Sequence, residues 1–248
     1  MRFLLASFFV LLFSPQLPAQ HYLTVGVGYT TVFFLSDDLD QLRDTYNYVN
    51  RDNMNRLLVG FQSADGVRVE SGYRYLEKWS AAFTLGYERY STFDAASYNN
   101  GEGRQLDLMI DHFLLDTEFG VHRNNYFFDG LLRLSFLRNL ELKSQYTGNT
   151  EDIERYFTGT FTSDAHFSLG FGISLGAHKE PFMLIGKMLY PVYTLEANKD
   201  LLARDATGNR RFPTDFINFH NALPYDALSN GDLDGLQIIL SFVVALAI

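Results

Sequence analysis

The sequence predicts an all-β chain, an eight-stranded antiparallel transmembrane β-barrel with long loops at one end, and three observations carry that prediction. Val67 to Tyr75 and Trp79 to Tyr90 alternate strictly on both sides of Leu76-Glu77-Lys78, which is the pattern of a β-hairpin. One face of that hairpin is apolar with aromatic ends (Val67, Val69, Tyr73, Tyr75; Trp79, Phe83, Leu85, Tyr87), and the other mixes charge with glycine (Arg68, Glu70, Gly72, Arg74; Gly86, Glu88). Such a strand suits lipid outside and a packed polar lumen inside. The connections between eight runs of this kind alternate long and short, so every long loop falls at one end.

The ends of the chain set the compartment. Met1-Arg2 is a short positive start, Phe3 to Phe13 is apolar, and Ser14-Pro15-Gln16-Leu17-Pro18-Ala19 reads as a cleavage region. The apolar run is too short to cross a bilayer as a helix, so residues 1–19 are expected to be a secretory signal peptide and 20–248 the barrel domain. The absence of cysteine excludes a lipoprotein anchor and a disulfide framework. Without Arg2 the formal charge moves from −9 to −10, with 19 basic residues against 29 acidic ones. An acidic balance without a basic block argues against nucleic-acid binding. No later stretch has eighteen consecutive apolar residues, and an exported membrane protein without helices must close its sheet.

The elements follow in order. The first strand runs from His21 to Leu35, with Leu23, Val25, Val27, Tyr29 and Phe33 on one face. Residues 36–65 lose the alternation, and Leu39, Leu42, Tyr46 and Val49 recur there at helical spacing, as in a short amphipathic helix within a long loop. The hairpin supplies the second and third strands, and 94–104 is a loop by its turn residues. The fourth strand, 105–121, carries Phe113, Leu115, Phe119 and Val121 on one parity but Leu106, Leu108 and Ile110 on the other, which places a β-bulge near Asp111–His112. Asn124-Asn125 is a tight turn before the fifth strand (Phe128, Leu132, Leu134, Phe136), and 140–163 is a polar loop. Phe167, Leu169, Phe171, Ile173 and Leu175 define the sixth strand. His178-Lys179-Glu180-Pro181 turns into the seventh, Phe182 to Leu195. The longest loop, 196–233, leads to the last strand, Leu236 to Leu246.

These alternating strands, with Tyr73, Tyr75 and Trp79 placed for an aromatic girdle, resemble the small eight-stranded outer-membrane barrels of Gram-negative bacteria, the OmpA/OmpX-like group. The resemblance implies an outer-membrane protein exported through the general secretory pathway and inserted by the barrel-assembly machinery. Many members end on an aromatic residue, whereas this chain ends Leu246-Ala247-Ile248. The rival fold is a soluble lipocalin-like barrel. The small uncharged rows Thr24-x-Gly26-x-Gly28 and Ser168-x-Gly170-x-Gly172 oppose it, because glycine weakens a water-facing strand but makes room inside a narrow barrel.

Candidate functional residues divide into three sets. Arg68, Glu70, Arg74, Glu88, Asp116, Glu118, Asp129, Arg133 and Lys187 fall on inward faces. Charges there must be matched, and the hairpin turns place Arg68 opposite Gly86, diagonal to Glu88, and Asp116 opposite Arg133. A salt-bridge network plugging the lumen is the bland reading and a narrow ion path the sharper one. His166 and Ser168, with Glu196 in reach, match the His-x-Ser pair and Glu of outer-membrane lipid A deacylases, but the motif is weak and points to the lumen. Arg210, Arg211, Phe212, Phe216 and Phe219 form a loop patch suited to an interface or to folding over the barrel mouth. Asp37, Asp38 and Asp40 lack the glycine and terminal glutamate of a calcium loop, and the histidines show no metal-ligand spacing. No cofactor is expected.

The function expected from sequence is therefore a non-enzymatic outer-membrane barrel with a plugged polar lumen and surface loops for structural or interaction roles. A small pore and a lipid A-modifying enzyme are the alternatives. Membrane lipids, the assembly machinery and an extracellular or outer-membrane protein are the expected partners.

Overall fold

Eight of the alternating runs join into one closed wall. A computed structural model describes residues 20–148, 157–196, 203–204, 210–211 and 235–248. The wall strands are β1 (Gln20–Phe33), β3 (Ser63–Leu76), β4 (Trp79–Tyr98), β5 (Gly103–Arg123), β6 (Tyr126–Thr147), β7 (Gly159–Lys179), β8 (Phe182–Glu196) and β11 (Leu236–Ala247). Each pairs antiparallel with the wall strand before it, and β11 returns to β1 with Val244 opposite Val25. Closure leaves no unpaired edge, the condition for a sheet in lipid. A short β2 (Met54–Arg56) extends β4, and β9 (Ala203–Arg204) pairs with β10 (Arg210–Arg211) as a separate ladder.

The turns at the end of the barrel holding Gln20 and Ala247 are each two residues long: Glu77-Lys78, Asn124-Asn125 and Glu180-Pro181. Asn124 takes a left-handed φ of 56°, which asparagine tolerates. Outer-membrane barrels carry their short turns on the periplasmic side. The sequence reading of a three-residue turn after β3 is corrected here. Leu76 pairs with Ser80, and Arg68 therefore lies directly opposite Glu88, not Gly86. The expected pairing of Asp116 with Arg133 is present.

At the other end the wall is taller than the alternation indicated. β4, β5, β6 and β7 contain 20, 21, 22 and 21 residues. Strands of that length run about 70 Å, roughly twice what a tilted crossing of the hydrocarbon layer needs. Most of the expected loops 94–104 and 140–163 is therefore wall. β4 continues to Tyr98 and only 99–102 turn, while β6 reaches Thr147 and β7 resumes at Gly159. Within 36–65 lies a helix, α1 (Asp37–Asn50), begun by Ser36, whose hydroxyl accepts from the Leu39 amide at 3.2 Å. Asp37, Asp38 and Asp40 occupy its first turn. The stretch 197–233 is outside the described residues except for β9 and β10.

Above the membrane the chemistry of the two faces exchanges. Lower down, Val25, Val69, Phe83, Phe119, Phe171 and Phe242 project outward. Higher up, Leu106, Leu108, Ile110, Leu140, Leu142 and Phe161 point inward around Leu39, Leu42 and Tyr46 of α1. The outward positions there include Gln105, Asp107, Glu141 and Lys143. Water outside requires the apolar groups inside, so the protruding wall is built like a soluble protein. The expected bulge is corrected accordingly. β5 keeps one inward parity from Arg104 to Glu118, and the register break at Asp111/Phe113 comes from an extra residue on β6. That residue is Leu137, at φ 53°. It shifts the inward parity of β6 from Arg133 and Ser135 to Arg138, Leu140 and Leu142.

Candidate functional site

The lumen is stacked in layers. At the periplasmic end Tyr22, Leu76, Phe127, Met183, Ile185, Val243 and Ala245 form an apolar plug. Phe127 occupies the space a Cβ on its cross-strand partner Gly176 would need: its ring would stand 1.9 Å from such an atom. This is the use of a lumen glycine that the sequence pointed to, with a neighbouring strand supplying the large side chain.

Above the plug comes an ionic layer of all nine predicted charged residues. Asp116 is its hub, accepting from Arg68 Nη2 at 2.8 Å, from Arg133 Nε and Nη2 at 2.7 and 2.9 Å, and from Lys187 Nζ at 2.8 Å. Arg68 also donates to Glu70 at 2.7 Å and Glu88 at 2.8 Å. Lys187 reaches Glu118 at 2.7 Å, and Arg74 joins Asp129 at 2.7 Å and pairs with Glu118. Arg68, Glu88 and Asp116 have essentially no solvent exposure. The network closes on itself because the barrel is only wide enough for side chains.

Among the described residues, sequence reasoning missed the polar members Gln237, Ser80 and Thr30, and also His112, 3.5 Å from Glu88. Gln237 on β11 accepts from Arg133 at 2.9 Å and donates to Glu88 at 2.6 Å and Thr30 at 2.8 Å. Ser80 accepts from Arg74 at 3.0 Å. Gln237 had a signal, since it is the lone amide on an inward face otherwise apolar or small (Ile239, Ser241, Val243, Ala245). Ser80 and Thr30 had none, because hydroxyls on a barrel wall are unremarkable in a pattern.

The third layer is the headpiece, the part above the membrane. Arg104, fully buried, donates to Tyr46 of α1 at 3.1 Å, to Ser144 of β6 at 3.0 Å and to Thr158 at 2.9 Å. Its guanidinium also lies over the rings of Phe157, Tyr46 and Tyr146 at 5.5–5.8 Å. Burial raises the phenol of Tyr46 well above its ordinary range. Asn47 bonds the backbone of Leu58 in both directions at 2.9 Å, and Asp94 accepts from the Gly60 amide at 2.7 Å. The helix is thereby fixed inside the protruding wall by polar as well as apolar contacts.

The other predicted site residues are not gathered into one place. Ser168 is buried on the lumen face, opposite Ser135, beside a void of about 30 Å³ that His112 and Gln237 also line. Backbone pairing puts Glu196 opposite Ala165, next to His166, but the side chains of His166 and Glu196 are outside the described set. The lumen placement keeps the Ser168 hydroxyl behind the wall from lipid. Arg210 and Arg211 form β10, and Phe212, Phe216 and Phe219 are outside the described residues. Among the described residues no group of three or more His, Cys, Asp or Glu could hold a metal ion.

A closed eight-strand wall, an apolar exterior belt and a packed ionic interior define an outer-membrane β-barrel. No family model and no curated protein sequence matches the chain. Solved structures to which the chain is similar include two outer-membrane proteins. One is Ail, the attachment invasion locus protein of Yersinia pestis, solved with the heparin analogue sucrose octasulfate, at 10% identity over 93% of this chain and 100% of that one, with a TM-score of 0.40. The other is the outer membrane protease OmpT of Escherichia coli, at 7% identity over 94% of this chain and 97% of that one, with a TM-score of 0.36. The protease corrects one expectation: a barrel of this general kind can be an enzyme, so the architecture does not support a non-enzymatic assignment. Likeness at this level transfers no activity to the present chain.

Proposed function

We propose that the membrane part of the protein is a plugged anchor and that the headpiece is its working part, presented outside the cell to an extracellular or outer-membrane protein partner. Export through the general secretory pathway and insertion by the assembly machinery belong to the same reading. The observation that carries it is the exchange of faces along β4 to β7: Leu106, Leu108 and Ile110 inward, Gln105, Asp107 and Asp111 outward, around a bonded helix. A wall built for water on its outer face has a purpose beyond spanning lipid. Single cysteines at Asp107, Lys143 and Lys78 in this cysteine-free chain test the arrangement with a membrane-impermeant maleimide on intact cells. Positions 107 and 143 label in intact cells and position 78 only after lysis. Labelling of 78 but not 107 from outside would overturn the assignment.

A further inference from the structure

At the periplasmic rim the barrel carries a concavity whose lining includes Phe127 of the plug and its cross-strand partner Gly176. Its volume is about 530 Å³. Four of its wall residues form one in-register row across adjacent strands: Trp79 pairs with Val121, Val121 with Phe128, and Phe128 with Leu175. All four belong to the outward, lipid-facing set of the membrane part. Phe119 stacks on Trp79 with centroids 6.0 Å apart and widens the apolar surface.

Polar residues from one turn and one strand end edge this apolar row. Lys78 comes from the β3–β4 turn, and His122 and Arg123 from the end of β5. His122 Nδ1 lies 2.6 Å from the Glu77 carbonyl oxygen and so donates to it, while its Nε2 is buried without a hydrogen-bond partner. The hollow thus combines an apolar floor with a cationic lip, at the depth where hydrocarbon gives way to headgroups.

We propose that this concavity is a site for one anionic phospholipid of the periplasmic leaflet. An acyl chain lies on Trp79, Val121, Phe128 and Leu175, and the headgroup phosphate meets Lys78 and Arg123. Charge complementarity selects the occupant, because basic residues at a membrane surface attract anionic lipid. A neutral detergent or a zwitterionic lipid fills the floor but gains less from the lip. The inference does not depend on what the headpiece binds.

Trp79 is the only tryptophan in the chain and lines the site, so its fluorescence reads occupancy directly. The full barrel is reconstituted in phosphatidylcholine vesicles doped with acyl-brominated phosphatidylglycerol or acyl-brominated phosphatidylcholine. Half-maximal quenching is expected at a mole fraction roughly fivefold lower for the glycerol lipid, the order that one to two basic residues provide. The double variant K78Q/R123Q brings the two curves together. A reporter moved to the opposite wall (W79F with F242W) shows equal quenching by both lipids. Identical curves for both lipids in the unmodified protein would overturn the proposal and leave ordinary annular lipid. So would a preference that persists in K78Q/R123Q. If added inorganic phosphate relieved the quenching preference, the site would be an anion site without a lipid, which also overturns it. Single variants K78Q and R123Q, each with a partial shift, cover failure of the double variant to fold.

Discussion

Asp116 holds four hydrogen bonds from three cations at zero exposure, and among the described residues no other acid of the ionic layer meets three lysines or arginines. Removing its charge leaves Arg68, Arg133 and Lys187 short of compensation in a buried site. Breaking a buried pair in this way costs about 3–5 kcal/mol. D116N should therefore lower the stability of the vesicle-inserted barrel by that order in urea titrations, whereas D52N, in an exposed pair with Arg51 at 3.5 Å, should change it by less than about 0.5 kcal/mol. Equal effects from the two variants would refute the hub. At this scale the sequence was informative about direction and poor about partners. Parity on each strand pointed all nine charges inward, because a charge facing hydrocarbon is too costly. The pairing of Arg68 with Glu88 depended on whether Leu76 belongs to the turn or the ladder, and that is settled by closing geometry that no single strand's pattern contains.

The element that decides the headpiece is α1. Its spacing of Leu39, Leu42, Tyr46 and Val49 was legible because a helix period stands out against strands of period two. Its docking inside the wall was not, since the flanking segments 94–104 and 140–163 read as loops. Asp94, Ser97, Asn99, Asn100 and Gly101 carry turn chemistry, and a strand with polar residues facing water has none of the lipid-facing signature. The displaced bulge has the same cause: Leu106, Leu108 and Ile110 look out of phase only if every apolar face is assumed to meet lipid. Leu42 is almost fully buried in the resulting core. L42A should cost the headpiece about 2–5 kcal/mol. The expected outcome is a protruding wall cut by added protease at lower concentration, while heat-dependent gel migration of the membrane barrel stays unchanged. Loss of both together would mean that headpiece and anchor are one cooperative unit.

For the whole molecule, the layers act in series. An ion entering from outside meets the α1 core of Leu39, Leu42, Tyr46 and Phe161, then the Arg68–Glu88–Asp116 layer, and then the Tyr22–Phe127–Met183 plug. In the proposed plugged anchor the layers block by two means, the first and last by apolar packing that excludes water and the middle one by ion pairs that leave no polar path unfilled. Barriers in series are opened only together, so damage to one has no electrical consequence. Planar-bilayer recordings should show no unitary steps from the intact protein. L42A and F127A should each stay silent, although both loosen a seal. Discrete steps from the intact barrel would contradict the sealed lumen outright. Steps appearing in F127A alone would place the whole barrier at the periplasmic plug and leave the ionic layer permeable.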